Sequence, residues 1–100
     1  MADVFEVRMV EFAGSCFLTL SGELDVVSAP KLGEAVAQAG DATVVVDLAD
    51  LTFCDSSGIR AILLAHRAVT ESGRHFALRG ANGPVRRVFE ITGLTELFKE

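Results

Sequence analysis

The sequence predicts an α/β protein, built as a mixed β-sheet of four to five strands with helices packed on it. Its centre is residues 43–48, an apolar run rich in β-branched side chains, which is typical of a strand covered on both faces. Helical patterns lie on either side of that run, and strand–helix–strand order implies parallel pairing through right-handed crossovers. Two strands with only a turn between them precede the first helix, so we expect a hairpin to open the sheet.

The hairpin occupies the first quarter of the chain. Residues 4–10 alternate only roughly between apolar and polar side chains, whereas residues 16–20 form a clearer strand. Ala-Gly-Ser at residues 13–15 is a short turn between them. Residues 21–25 are mostly polar, and we expect them to leave the sheet as a loop.

The first helix has recognisable signals at both ends. Ser28 is a suitable N-cap residue, and Pro30 falls in the first turn, where its missing N–H is tolerated. Gly40 ends the helix. One face carries the apolar residues Leu32, Ala35, Val36 and Ala39.

The central strand leads through a polar turn at residues 53–58 into a long helix that stops at Ser72 and Gly73. One face of this helix is predicted to be buried and carries Ile59, Ile62, Leu63, His66 and Val69. The other face carries Arg60, Arg67 and Glu71, with Leu64 among them.

Three shorter elements complete the predicted chain. Residues 75–79 alternate as a strand, and Gly83 and Pro84 open a third helix over residues 85–91. Leu97 and Phe98 are expected to form a last short strand. Val85, Val88 and Phe89 are predicted to face inward from the third helix.

Composition excludes several classes of function. A net charge of -5 and a pI near 4.9 argue against nucleic acid as a partner, because that affinity comes mainly from Lys and Arg on phosphates. An acidic N-terminus and the lack of a long apolar run predict a cytoplasmic protein with no direct membrane insertion. Cys16 and Cys54 lie in apolar sequence, which favours two buried, reduced thiols over a disulfide.

The candidate functional residues lie where the central strand gives way to the long helix. Asp55, Ser56 and Ser57 are all N-cap residue types, yet one helix start needs a single cap, so at least one hydroxyl is left free. Gly58 follows in the first turn, where glycine costs about 1 kcal/mol relative to alanine. Such a glycine suggests bare backbone that another molecule can approach closely.

Two other functions fit the residues around this junction less well than phosphorylation of Ser57. They are a serine hydrolase and a receiver domain that accepts a phosphate on an aspartate. A serine hydrolase needs a base beside Ser57, but His66 falls on the apolar helix face and nothing brings His75 close. Asp47 ends a strand as the acceptor of a receiver domain does, but the acidic pair and late lysine of receivers are missing. A phosphate on Ser57 would instead be tolerated at a helix N-terminus and would change what can dock there.

Three blocks of sequence carry a family resemblance. They are Leu-Ser-Gly-Glu-Leu-Asp at residues 20–25, Val-Val-Asp-Leu with Leu-Thr-Phe-Cys-Asp-Ser-Ser-Gly within 45–58, and Val-Arg-Arg-Val-Phe-Glu-Ile-Thr-Gly-Leu at 85–94. In these blocks and their order the chain resembles the bacterial anti-sigma factor antagonists, which carry the STAS domain. The resemblance spans nearly the whole chain and implies a single STAS domain over residues 1–100.

The resemblance implies a regulatory protein rather than an enzyme. The unmodified antagonist would bind an anti-sigma factor that is also a serine kinase, which frees a sigma factor. Phosphorylation of Ser57 would then release the kinase, and a phosphatase would reset the cycle. No cofactor is implied, and no glycine-rich loop for a nucleotide is present.

The resemblance also implies which residues meet the partner. Asp55, Ser56 and Gly58 would form the loop of the acceptor serine, with Asp25 nearby on the binding face. Leu64 is either a partner contact or an isolated exposed leucine, and Arg60 and Arg67 either meet an acidic partner or are simply solvated. A second possible function keeps the fold, as a STAS accessory subunit that binds a membrane transporter complex constitutively.

Overall fold

The computed structural model describes residues 4–98. Its strands are β1 (Glu6–Phe12), β2 (Ser15–Leu24), β3 (Thr43–Cys54) and β4 (Phe76–Arg79). Its helices are α1 (Ala29–Gln38), α2 (Ser56–Glu71) and α3 (Gly83–Ile91), followed by a short 3-10 helix, Thr95–Phe98. The predicted α/β fold, with a mixed sheet and a leading hairpin, is confirmed.

The sheet has the strand order β1-β2-β3-β4. β1 and β2 pair antiparallel, while β2 with β3 and β3 with β4 pair parallel. The hairpin closes through Ala13 and Gly14, whose φ values of 52° and 81° suit a tight two-residue turn between twisted strands.

This strand order decides where the first two helices lie. Both crossovers, β2–α1–β3 and β3–α2–β4, step across the sheet in the same direction. Right-handed crossovers that step the same way place their helices on the same face of the sheet. α1 and α2 therefore pack side by side, and their contact is one of the main contacts between elements.

The hydrophobic core lies between this face of the sheet and the helices. Fully buried side chains from the middle strands include Leu18, Leu20, Val44, Val46 and Leu48. The helices bury Leu32, Ile62, Val69, Val85 and Phe89 against them. The four residues predicted to face inward from α1 are all buried.

The middle strands are longer than predicted, and the prediction of a loop at residues 21–25 is wrong as far as Leu24. β2 stays paired with β3, with Gly22 opposite Leu51 and Leu24 opposite Cys54. The register shifts on either side of Gly22, whose φ of 87° lets the strand bend without leaving the sheet. Phe53 and Cys54 are therefore the end of β3, not part of a turn.

Two smaller predictions also need correction. Leu97 and Phe98 belong to a 3-10 helix rather than a fifth strand, because the Leu97 N–H bonds locally to the Leu94 carbonyl at 3.1 Å. Leu63 is 37% exposed instead of facing the core, and Ala65 is the buried residue at that level of α2. Within residues 4–98, no helix is long and apolar enough to cross a membrane.

Candidate partner-binding site

Asp55 alone caps the N-terminus of α2. Its backbone is extended, and its carboxylate accepts a hydrogen bond from the Gly58 N–H at 3.0 Å. Its carbonyl accepts from the Ile59 N–H at 2.9 Å, which is the first bond of the helix. The predicted redundancy of caps is confirmed, because the helix start uses neither the Ser56 nor the Ser57 side chain.

The Ser57 hydroxyl is free and meets solvent. No residue in the described part of the chain hydrogen-bonds it, and the residue is half-buried. No fully buried side-chain oxygen among the described residues lacks a partner. A hydroxyl without a protein partner must therefore reach water, so Ser57 combines a fixed position on the helix with an accessible oxygen.

Gly58 has a different reason for being glycine than the sequence suggested. It is buried, and a Cβ built there would lie 2.6 Å from the Leu24 carbonyl oxygen and 2.7 Å from the Cys54 Sγ. The missing side chain thus lets α2 start close against β2 and β3, rather than opening backbone to another molecule. This contact sets the position of the first turn of α2, and hence of Ser57.

A groove of about 420 Å³ separates α1 from α2. Ser57, Arg60 and Leu64 line it from successive turns of α2, and Val26 lines it from the loop before α1. The groove exists because both helices present small residues to each other, namely Ala29, Gly33, Ala61, Ala65 and Ala68. This groove was not predicted from the sequence, although the spacing of those small residues by three or four positions was a visible signal.

Arg60 supplies the charge of the groove. Of the described residues that line it, Arg60 alone is ionised, and its side chain is exposed. The ion pairs of the described chain lie elsewhere, at Arg79–Asp47 (3.2 Å) and Arg86–Glu90 (3.6 Å). The groove is therefore apolar with one cationic group, although the whole chain carries a net charge of -5.

Asp25 organises the loop beside the groove. Its carboxylate accepts hydrogen bonds from the backbone N–H groups of Val27 (3.0 Å) and Ser28 (3.1 Å). Those hydrogen bonds lower the pKa of the Asp25 carboxyl, and the bond from the Ser28 N–H has the largest effect. Ser28 does not cap α1 through its side chain, because its hydroxyl donates to the Glu23 carbonyl and accepts from the Asp25 N–H.

This loop presents apolar side chains to solvent. Val26 is 70% exposed and Val27 82% exposed, and Leu64 on α2 is half-exposed at 49%. Isolated exposed valines and leucines are ordinary, but Val26 and Leu64 line one groove with Ser57. The structure thus brings together Ser57, Arg60 and Leu64, while Asp25, Asp55 and Gly58 hold the backbone around them.

The residues that a hydrolase or a receiver domain would use make other contacts in the structure. The His66 ring packs edge-on against the Phe76 ring, with 5.4 Å between centroids. Asp47 accepts from Arg79 and from the Ala49 N–H, so both of its carboxylate oxygens are hydrogen-bonded within the chain. Cys16 and Cys54 are free and buried, as predicted, and burial followed by the Asp55 charge raises the pKa of Cys54 to about 12.

Comparison with known proteins identifies the family. Residues 9–99, nearly the whole chain, match the family model described as Mlab, STAS domain. The chain therefore belongs to the STAS domain family, and the sheet and helices described above are its version of that fold.

The predicted resemblance to anti-sigma factor antagonists is also confirmed. The chain is 32% identical over 81 residues to the anti-sigma-B factor antagonist of Staphylococcus epidermidis. The matched region covers 78% of this chain and 75% of that protein. An anti-sigma factor antagonist from Mycobacterium paratuberculosis has a similar crystal structure, with a TM-score of 0.83 and 27% identity. That similarity covers 96% of this chain and 84% of the other.

A third similar protein has been solved in two states. The unphosphorylated form of the anti-sigma factor antagonist SpoIIAA matches with a TM-score of 0.73 and 28% identity, over 94% of this chain and 84% of that one. The phosphorylated form of SpoIIAA from Bacillus matches with a TM-score of 0.65 and 26% identity, over 94% and 87%.

Proposed function

We propose that this chain is an anti-sigma factor antagonist controlled by phosphorylation of Ser57. Its unmodified form binds an anti-sigma factor that is also a serine kinase, and so frees a sigma factor in the cytoplasm. The kinase then phosphorylates Ser57 and dissociates, and a phosphatase restores the hydroxyl. Residues 1–100 act in this cycle as one STAS domain, with a regulatory rather than a catalytic role.

The free hydroxyl of Ser57 is the observation that carries this proposal. Asp55 completes the helix cap, so modification of the Ser57 hydroxyl would remove no hydrogen bond among residues 4–98. A kinase needs an accessible hydroxyl at a defined position, and Ser57 is held on the first turn of a 16-residue helix. The phosphorylated structure of the related SpoIIAA supports the same kind of chemistry.

The groove between α1 and α2 is the proposed docking surface. Leu64 and Val26 offer apolar contact and Arg60 offers a cation, so the surface suits a partner segment with apolar and acidic side chains. Ser56 is exposed beside it and is the further direct contact. Asp25, Asp55 and Gly58 contribute by fixing the loop and the helix start.

Phosphorylation would disrupt this surface by charge. A phosphoserine carries a charge of about -1.5 to -2 at neutral pH. Placed at Ser57, it would make the groove net negative, because Arg60 is the one cation among its described lining residues. An acidic partner segment would then meet repulsion in place of attraction, and apolar contacts would have to form beside a hydrated dianion.

The test uses the purified chain with the anti-sigma factor of the same organism, with ATP and Mg²⁺. Mass spectrometry should find one phosphate, on Ser57. Ser57→Ala should bind the anti-sigma factor but never be released by ATP, and Ser57→Asp should not bind. Phosphate on a different residue, or none, would contradict the assignment of Ser57.

Ser56→Ala is the matched control, because it removes the adjacent exposed hydroxyl and leaves the Asp55 cap in place. It should still take one phosphate, on Ser57, and should weaken binding by no more than the loss of one surface hydroxyl contact, about 1 kcal/mol. If the chain instead co-purifies with a transporter ATPase, without phosphate turnover, the role of accessory subunit would replace this proposal.

A further inference from the structure

The position of Arg60 relative to Ser57 has a consequence for the phosphorylated state. Residues three apart on a helix lie on the same face, with Cβ atoms about 5–6 Å apart. Ser57 and Arg60 have this spacing within α2, and both line the groove. A long Arg side chain can therefore reach a group attached to the Ser57 oxygen without any movement of the backbone.

Arg60 is available for that contact. No residue between 4 and 98 forms an ion pair with it, and its side chain is exposed. The guanidinium group offers planar, paired N–H donors that match phosphate oxygens and stays ionised at any physiological pH. Asp55, the nearest anion along the chain, accepts from the Gly58 N–H and forms no ion pair with Arg60 within residues 4–98.

We propose that Arg60 is the internal ligand of a phosphate on Ser57. In the unmodified chain Arg60 projects along the groove as its only charged group among the described lining residues. In the phosphorylated chain it folds back onto the phosphate. Modification would then remove the cation that an acidic partner uses, in addition to adding a dianion.

This inference rests on the proposed modification of Ser57, but it can be tested without a kinase. Phosphoserine can be incorporated during translation at the Ser57 codon. The ³¹P chemical shift then reports the second ionisation of that phosphate as pH is varied. A neighbouring cation favours the dianion and lowers the pKa of the phosphate.

Three versions of the phosphorylated protein are compared at low salt. The phosphate pKa should lie lower with Arg60 present than in Arg60→Gln, by about half a unit, as expected for an exposed ion pair. Arg60→Lys should keep part of that shift, because it retains the charge without the paired donors. In 1 M salt the difference should shrink, since screening then acts within about 3 Å.

Arg67→Gln is the matched control. It removes an exposed arginine from the same helix, seven positions beyond Arg60 and about 15 Å from Ser57 along the axis. It should leave the phosphate pKa unchanged. Equal pKa values with and without Arg60, or an equal shift in Arg67→Gln, would overturn the assignment of Arg60.

The outcome is separable from that of the proposed function. A missing kinase reaction would refute the cycle but would leave the phosphate pKa measurable. Conversely, phosphorylation of Ser57 by a kinase, together with a phosphate pKa insensitive to Arg60→Gln, would keep the cycle and refute only the role of Arg60.

Discussion

At the scale of single residues, Asp55 caps α2 at the junction with β3, and the Ser56 and Ser57 side chains are not used in the cap. The sequence predicted three candidate caps but could not say which one is used, because Asp, Ser and Ser accept the same kind of hydrogen bond. Asp55 is the N-cap because β3 stays extended to Cys54, which leaves Asp55 as the last residue before the first helical turn. That choice depends on tertiary pairing with β2, which no local pattern reports.

The neighbouring Cys54 gives a prediction about alkaline pH. Burial, and then the charge of Asp55, raises the pKa of the Cys54 thiol to about 12, well above that of an exposed cysteine near 8.5. The folded state therefore keeps a proton that the unfolded state loses. The stabilisation is fully present below about pH 8.5 and is lost as pH rises towards 12.

Urea denaturation at a series of pH values from 8 to 11 measures this effect. The free energy of unfolding should fall with rising pH, and it should fall less steeply in Cys54→Ala. Cys16, whose pKa burial also raises, contributes equally to both proteins. The absence of tyrosine removes another side chain that ionises in this range. An identical slope in both proteins would show that the Cys54 thiol is not protected.

At the scale of elements, β2 extends to Leu24 although the composition of its last residues is typical of a loop. Ser, Gly, Glu and Asp in residues 21–25 are typical of a loop, and this led to the wrong prediction of where β2 ends. The burial pattern nevertheless alternates without interruption from Ser15 to Leu24. The long parallel partner β3 keeps this segment paired, so tertiary contacts override the weak local preference of the segment.

Close packing of α2 against the sheet gives a prediction at Gly58. Alanine there gains helix propensity of about 1 kcal/mol, but its Cβ would meet the Leu24 carbonyl oxygen and the Cys54 sulfur at 2.6–2.7 Å. Backbone oxygen cannot move aside cheaply, and overpacking typically costs about 1–3 kcal/mol. Gly58→Ala should therefore lower the free energy of unfolding.

Gly33→Ala is the control for this prediction. Gly33 lies inside α1, and a Cβ built there meets no atom within 4 Å. The same substitution should raise the free energy of unfolding there, by up to about 1 kcal/mol. Urea denaturation of both variants measures whether the free energy of unfolding falls in Gly58→Ala and rises in Gly33→Ala. A stabilised Gly58→Ala would mean that α2 does not start against Leu24.

At the scale of the whole molecule, the order of elements was enough to predict the sheet. Parallel pairing and crossover handedness follow from strand–helix–strand order, and they place α1 and α2 on the same face. The groove between them could not be derived in the same way. Its width depends on how closely two helices approach, which small residues such as Gly33 and Ala65 decide only in combination with the packing beneath.

The position of Ser57 outside the core predicts that its modification changes docking but not folding. Ser57→Asp adds a charge at a helix N-terminus, where the helix dipole favours an anion, and it breaks no side-chain hydrogen bond of the described chain. The free energy of unfolding should change by no more than about 0.5 kcal/mol. The amide NMR spectrum should change only near the start of α2.

Ile62→Asp provides the contrast on the same helix. Its side chain is fully buried, so a carboxylate there must unfold the chain or remain protonated at a large cost in stability. Loss of anti-sigma factor binding in Ser57→Asp, together with an unchanged denaturation midpoint, would mean that the charge acts at the surface. A large drop in the stability of Ser57→Asp would instead mean that binding is lost through unfolding, and a phosphate could not then be a reversible signal on an intact domain.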